Sequence, residues 1–431
     1  MRHKRFVFVG YQFDTASGVF TSRYRLDDQT FTDTITFGFK FAPDYSQQAL
    51  DAALFGLFVI NGVSYYKAGA PHEIVFEHGG LTKSQKEFFD KIYLHGLGEY
   101  WHQNDLDPRG RIDFPADNER ADAPAEAELS GVMVPIAGGK DSLVSAGLLE
   151  KSGKVFDTWT FQHSDKLGPL LSQLGGEHLP VTRKIDPKLL TLNEQGAYNG
   201  HVPFSAILAF LTVVSAVLRN KRDIVLSNEG SAEEPSTEFY GMEINHQYSK
   251  TLEFERDFQA YVSEHISPSI RYFSFLRPLS ELRIAEVFCQ NWLEQYAGSF
   301  TSCNNNFKSI HEGEELSWCG RCAKCAFVFA IFAPFLPKER LVALFGKNLF
   351  TEPALKDTYE QLLGLKGHKP FDCVGEIEEV ITAMRMAHQT GEYPELDSFT
   401  IPDTDYDYKK WHPDSMPGEY RQLLESQLSD L

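Results

Sequence analysis

The sequence is poor in the features that mark exported, membrane-spanning or polyanion-binding proteins. Cysteine is scarce, six in 431 residues, and four of the six crowd into the stretch from Cys303 to Cys325. A secreted disulfide scaffold distributes paired cysteines over a short chain, so this usage points to a reducing compartment, the cytoplasm. Long hydrophobic runs are missing as well. The longest, Ala206 to Leu218, falls short of the roughly 20 residues that a bilayer requires and fits a buried helix. The opening Met1-Arg-His-Lys-Arg has the charge of an export signal, but Phe6-Val-Phe-Val-Gly-Tyr-Gln-Phe is soon interrupted and no small-residue cleavage site follows. It reads as a strand, and neither export nor membrane insertion is expected. There is no Lys/Arg-rich run: 41 Lys plus Arg stand against 60 Asp plus Glu, a formal net charge of −19. That balance disfavours a nucleic-acid partner unless a local basic groove hides in the net count. Internal repeats and long low-complexity tracts are absent.

What is present is a chain with 42% hydrophobic residues, long enough to bury a sizeable core in two or three domains. Residues 1–120 are rich in aromatic and β-branched residues. Strands are expected at Phe6–Phe13, Arg23–Leu26, Thr34–Phe41 and Ile74–Phe76, with helices near Gln47–Phe58 and Lys83–Tyr100, together a strand-rich α+β domain. The polar, weakly periodic stretch Asp105–Leu129 marks a boundary. From Gly131 short apolar strands alternate with helices, which implies parallel pairing through right-handed crossovers. Residues 130–345 are therefore expected to form a doubly wound α/β domain with a parallel sheet. Residues 346–431 read as a mostly helical C-terminal region whose tail, from Gly391, is irregular.

The strongest local signal is Ala137-Gly138-Gly139-Lys140-Asp141-Ser142, set between an apolar strand and a helix. Two glycines permit backbone conformations closed to other residues and a close approach to an anion. The amides at the new helix's N-terminus, its dipole, the Lys140 charge and the Ser142 hydroxyl would then face phosphates. Asp141 could hold a magnesium ion or the turn itself. The plain alternative is a tight strand-to-helix turn. The loop resembles the Ser-Gly-Gly-x-Asp-Ser PP-loop of the ATP pyrophosphatases, which transfer AMP to a substrate and release pyrophosphate. Ala137 stands where that pattern has its first serine. The loop lacks the Gly-Lys-Ser/Thr ending of a Walker A site, so γ-phosphate transfer is the less natural expectation. In that superfamily adenine and ribose sit beyond the ends of the first strands, which makes Thr160–His163, Gln162 among them, the nucleotide-side candidates; ordinary loop polarity is the alternative.

A second polar centre follows the strand Ile224–Leu226. It runs Ser227-Asn228-Glu229-Gly230-Ser231-Ala232-Glu233-Glu234, then Asn245-His246-Gln247-Tyr248-Ser249-Lys250. Asn228 joins the nucleotide-side candidates, and Glu229, His246, Lys250 and Asp141 are the candidates for acid and base chemistry. His246 and Lys250 would share one face if their segment were helical. A structural histidine and a solvated acidic face are the alternatives.

The third signal is Cys303 followed by Cys319-Gly-Arg-Cys322-Ala-Lys-Cys325. Two-residue spacings can converge three thiolates on a structural Zn²⁺, with Cys303, or His311 in its place, completing the tetrahedron; reduced thiols packed against the core are the alternative. The run looks like the zinc site of 7-cyano-7-deazaguanine synthase, a PP-loop relative. Cys289 and Cys373 have no partner by spacing and read as buried thiols.

Taken together, these segments are similar, over nearly the whole chain, to the ATP-dependent UDP-N-acetylmuramoyl-L-alanyl-L-glutamate epimerases of bacterial peptidoglycan synthesis. The resemblance implies inversion of the terminal L-glutamate of the UDP-linked muramoyl dipeptide, with ATP and magnesium consumed to AMP and pyrophosphate. The alternatives are another PP-loop carboxylate-adenylating enzyme of the amide or nitrile synthase type and a non-catalytic nucleotide-binding module.

Overall fold

Among the described residues eleven strands set the architecture. They are β1 (Arg5–Asp14), β2 (Val19–Leu26), β3 (Gln29–Phe37), β4 (Glu73–Phe76), β5 (Val132–Pro135), β6 (Asp157–Phe161), β7 (His178–Lys184), β8 (Asp223–Leu226), β9 (Thr237–Phe239), β10 (Met242–Ile244) and β11 (Arg271–Ser274). The computed structural model describes residues 3–117, 124–162, 164–303, 305 and 316–429. β9 and β10 make a small hairpin, and the other nine strands form one sheet in the order β11-β8-β5-β6-β7-β3-β2-β1-β4. Pairing is parallel from β11 to β7, antiparallel from β7 to β1, and parallel again between β1 and β4.

Alternate residues of the parallel strands enter two separate cores. Met133, Ile224 and Tyr272 face one of them, with Phe210 and Leu218 of the helix Phe204–Leu218 and with Phe258 of the helix Leu252–His265. Val132, Val134, Val225 and Phe273 face the other, with Leu143 of the helix Lys140–Lys151, Phe288 of Glu281–Asn291 and Phe327 of Ala323–Phe332. The period of two in these strands therefore serves two buried faces at once, and the result is helix layers on both sides of a mostly parallel sheet.

The stretch expected to divide the chain near residue 120 does not interrupt this sheet. β3 pairs with β7 from Thr34 opposite Lys184 to Phe37 opposite Val181. Beside that seam Asp33 and Arg183 form a buried ion pair at 3.0 Å, and the Tyr65 hydroxyl donates to Asp33 at 2.7 Å. Each of the two strands would otherwise present an open edge of unpaired amides and carbonyls, and joining the edges satisfies both. Edge partnership across about 150 residues leaves no trace in local spacing.

One helix, Gln47–Tyr66, is long and apolar enough to cross a membrane by length and composition, but 89% of its apolar window is buried within the protein. It packs on the helix Phe204–Leu218 as a core element. The tail also departs from expectation. After an extended stretch tied down by Ser280 Oγ donating to the Tyr408 carbonyl (2.7 Å), the chain ends in a helix, Gly418–Ser429. Its Tyr420 hydroxyl donates to Asp223 Oδ2 at 2.8 Å, holding that helix against the sheet.

Candidate active site

The strand order reverses at β5: β6 and β7 lie on one side of it, β8 and β11 on the other. The loops leaving the carboxyl ends of β5 and β8 are thus neighbours at the switch point where open α/β sheets bind ligands. These are the two loops singled out above, and the Ser227 hydroxyl after β8 donates to Ser145 of the helix after β5 at 2.7 Å.

In the first loop Ala137 is exposed, and Gly138 has φ +84°, a left-handed conformation that a Cβ would strain. Gly139 is the N-cap of the helix Lys140–Lys151 and brings no side chain to cap it, so the helix's first amides are left to other partners. Ser142 Oγ donates to the Gly139 carbonyl at 3.1 Å, and the Thr301 amide donates to the Gly138 carbonyl at 2.9 Å, joining the loop to the segment that leads into Cys303.

Lys140, expected to face phosphates, turns inward instead. Its ammonium is 1% exposed and pairs with both Asp141 and Glu281, while Lys324 approaches the other Glu281 oxygen at 3.3 Å. Burial opposes the Lys140 charge, but the two carboxylates overcome it and hold the ammonium well above its ordinary range. Burial also acts on the acids. It combines with Glu281 and Glu229 to push Asp141 up, whereas Lys140 and Lys324 outweigh it at Glu281 and hold that carboxyl low.

Glu229, buried at the end of β8, keeps its carboxylate within electrostatic reach of Asp141 and Lys250, and its carbonyl accepts from Arg277 Nη1 at 2.8 Å. Arg277 is itself buried, ion-paired with Glu255 at 2.9 Å. Asn228 sits half-buried beside Glu229. Gln162 is at the end of β6 but its amide donates to the Arg183 carbonyl at 2.5 Å, so it closes the sheet seam rather than reaching toward the β5 loop. His163 and His311 lie outside the described residues.

His246 and Lys250 do not share a helix face. The first lies in a turn and the second in the short 3-10 segment Tyr248–Lys250. They nevertheless converge on one atom. Lys250 Nζ donates to Cys373 Sγ at 3.5 Å and to Gln247 Oε1 at 3.1 Å, and the His246 ring is hydrogen-bonded both to Cys373 and, through Nδ1, to Glu99. His201 packs against His246 with ring centroids 4.3 Å apart and the planes tilted by 44°. Burial lowers both imidazoles, but Cys373 and Glu99 raise His246 to about 9, while His246, Lys67 and Lys250 depress His201 further to about 3. Burial would raise the Cys373 thiol; Lys250, His246 and Lys324 reverse this and bring it down to about 7.

Cys373 is therefore not the inert buried thiol its isolation in the sequence suggested. Glu99, His201 and Glu281 come from segments with no motif around them, and Lys324 lies within the cysteine run only as a spacer between Cys322 and Cys325, so none of the four is legible as a site residue.

The four cysteines of the third signal do come together. Cys303 and Cys322 sulfurs are 3.9 Å apart, Cys319 and Cys325 sulfurs 3.7 Å, and all four lie within 4.8 Å of one another. Four thiolates around a tetrahedral zinc at about 2.3 Å stand about 3.8 Å apart, so the donor set and its spacing fit that ion.

Residues 1–275 match the family model described as the MurL N-terminal domain, and residues 299–405 that described as the MurL C-terminal domain. Relatives named UDP-N-acetyl-alpha-D-muramoyl-L-alanyl-L-glutamate epimerase occur in three bacteria. That of Xanthomonas oryzae pv. oryzae (strain MAFF 311018) is 39% identical over 394 residues, 90% of this chain and 87% of the relative. That of Micromonospora sp. (strain ATCC 39149 / NRRL 15099 / SCC 1413) is 36% identical over 407 residues, 91% and 88% of the two chains. That of Salinispora tropica (strain ATCC BAA-916 / DSM 44818 / JCM 13857 / NBRC 105044 / CNB-440) is 37% identical over 393 residues, 89% and 85%. Sequence similarity to proteins named as epimerases along nearly the full length, on an α/β fold, defines an enzyme of the isomerase class. Within that class the chain belongs to the MurL family.

Proposed function

We propose that the enzyme inverts the terminal L-glutamate of UDP-N-acetylmuramoyl-L-alanyl-L-glutamate, using ATP to form an acyl adenylate and releasing AMP and pyrophosphate, in the cytoplasmic synthesis of peptidoglycan precursor. The reading carries over the substrate in the names of its relatives. The observation that most supports its ATP half is the Gly138-Gly139 turn running into an uncapped helix N-terminus at the sheet's switch point, the setting of a PP-loop.

A free carboxylate resists loss of its α-proton because a second negative charge would build beside the first. Adenylation makes it a neutral acyl group that can spread the carbanion into an enolate. The amides before Lys140, with Ser142, would receive the phosphates; Lys140, through Asp141 and Glu281, would set the charge of the acidic pair behind them. Asp141 and Glu229 are the carboxylates suited to magnesium, which when bound would screen the phosphate charge. Glu229, His246 and Lys250 remain candidates for acid and base roles, with Asn228 on the nucleotide side. The Cys303, Cys319, Cys322 and Cys325 group would hold a structural zinc. Acidic balance, cysteine usage and the burial of Gln47–Tyr66 support an enzyme with neither a nucleic-acid partner nor an inserted helix.

The test is incubation with ATP, magnesium and the UDP-linked dipeptide, then chiral analysis of the glutamate alongside AMP. D-glutamate with AMP, and neither with Asp141→Ala, is the expected outcome. AMP with L-glutamate retained on every trial would move the activity to another carboxylate, and D-glutamate without AMP would remove the adenylate.

A further inference from the structure

The Cys373 sulfur is the meeting point of groups from three separate parts of the chain: Lys250 at 3.5 Å and His246 by hydrogen bond from one segment, Glu99 behind His246, and the Lys324 ammonium within electrostatic reach. Its own loop is pinned to the His246 segment by Gln247 Nε2, which donates to the Val374 carbonyl at 3.3 Å, and the Cys373 amide donates to Asp372 at 2.9 Å. The residue as a whole is half-buried.

We propose that Cys373 is the base that takes the glutamyl Cα proton, with Lys250 and His246 positioning it and holding it as thiolate. The inference rests on the proposed epimerisation of an activated glutamyl carboxyl. The other candidates are less suited to that step. His246 is kept protonated by Glu99 and the sulfur, and Lys250 is kept protonated by Cys373 and the nearby carboxylates. His201 is neutral, but its depressed basicity makes it a poor acceptor. Of these four groups the sulfur is the one whose neighbours favour an unprotonated form at neutral pH, and Asp372, which accepts from the Cys373 amide, is the carboxylate beside it in the chain.

In the step, the Cα–H bond breaks and its proton forms an S–H bond, while the electron pair moves into the acyl carbonyl to give an enolate beside the Lys250 ammonium. A proton from a solvent-exchanging group then adds to the opposite face of Cα, and the thiol returns its own proton to water. No oxidant or reductant is required.

The experiment runs the whole enzyme with ATP, magnesium and the UDP-linked dipeptide in D₂O, reading AMP, glutamate configuration and Cα deuterium separately. The wild type is expected to deuterate Cα with a rate that rises through an inflection near pH 7. Cys373→Ser and Cys373→Ala are expected to lose deuteration and inversion by about 100-fold or more while AMP formation remains measurable. Iodoacetamide labelling of Cys373 in the wild type, located by peptide mass, is expected to follow the same pH curve. Lys250→Met, which removes a cation from the thiolate, is expected to move that curve to higher pH. Deuteration surviving in both Cys373 variants overturns the proposal, as does labelling with no inflection near neutrality. A substrate-derived acyl adduct on Cys373 overturns it in favour of a nucleophile. Wild type that forms neither AMP nor D-glutamate defeats the epimerase reading itself, a result distinct from loss of the base role alone.

Discussion

Lys140 and Glu281, separated by 141 positions, form an ion pair whose side chains are 1% and 2% exposed. The pair fastens the loop after β5 to the start of the helix Glu281–Asn291, and Lys324 makes Glu281 the shared partner of two buried ammonium groups. Breaking a buried pair from one side leaves an uncompensated charge, which costs more than the pair contributes. Glu281→Gln is therefore expected to lower unfolding free energy by about 3–5 kcal/mol, read from urea titrations. Asp141→Asn should be milder, about 1 kcal/mol, because Asp141 is part-exposed and its carboxyl is already pushed up. The same Asp141→Asn change should abolish AMP formation, separating the folding role of one acid from the site role of the other.

Gly138→Ala places a Cβ on a backbone at φ +84°. Strain of about 1–2 kcal/mol is expected, with loss of AMP formation beyond what that instability explains. Gly139→Ala should be gentler on folding, since its Cβ would meet only the Ser302 hydroxyl, at 2.9 Å, a side chain that can rotate away. Thermal melts and AMP assays on the two variants test the contrast.

Metal analysis of protein purified without added zinc should find about one zinc per chain, held by Cys303, Cys319, Cys322 and Cys325. Cys322→Ser or a strong chelator should remove it and lower the melting temperature. The Gly138 loop should loosen with it, because Thr301 bonds both sides of this connection. Full occupancy retained in Cys322→Ser would reject the four-thiolate assignment.

Glu379 is buried below the β8 loop, accepting from the Ser231 hydroxyl and the Glu376 amide, each at 2.9 Å. Burial, then Glu376 and Glu281, push its carboxyl up to about 8 from an ordinary 4.5. Between those values the folded protein keeps a proton that the unfolded chain has lost, so this group makes stability fall as pH rises, by up to about 1.4 kcal/mol per pH unit. Glu379→Gln should remove that slope between pH 5 and 8 in urea midpoints. An unchanged slope would mean that Glu379 ionises normally.

The residues that were legible in the sequence are those whose neighbours in the chain are also their neighbours in space. Gly138 and Gly139 make a strand-to-helix turn, and the Cys319, Cys322, Cys325 spacing brings thiolates onto successive turns of one short segment. The terminal helix Gly418–Ser429 packs an apolar face of Tyr420, Leu423, Leu424 and Leu428 on the core, but that face spans only about two turns in a Tyr/Asp/Pro-rich tail, too short to stand out as a helix in the sequence. Glu99 and His201 precede His246 by 147 and 45 positions, and Cys373 follows it by 127, with no periodic pattern connecting them.

Local composition and spacing by themselves determined the α/β alternation, the glycine loop after β5, the polar segment after β8 and the cysteine cluster, because each depends on hydrophobic period, backbone freedom or ligand spacing within a few residues. Only the tertiary structure decided that β3 and β7 join two edges into one sheet, that Lys140 turns inward to Glu281, and that Cys373 meets Lys250 and His246. Those outcomes depend on which distant groups satisfy one another once removed from water, and burial makes the partner, more than the residue type, set the chemistry.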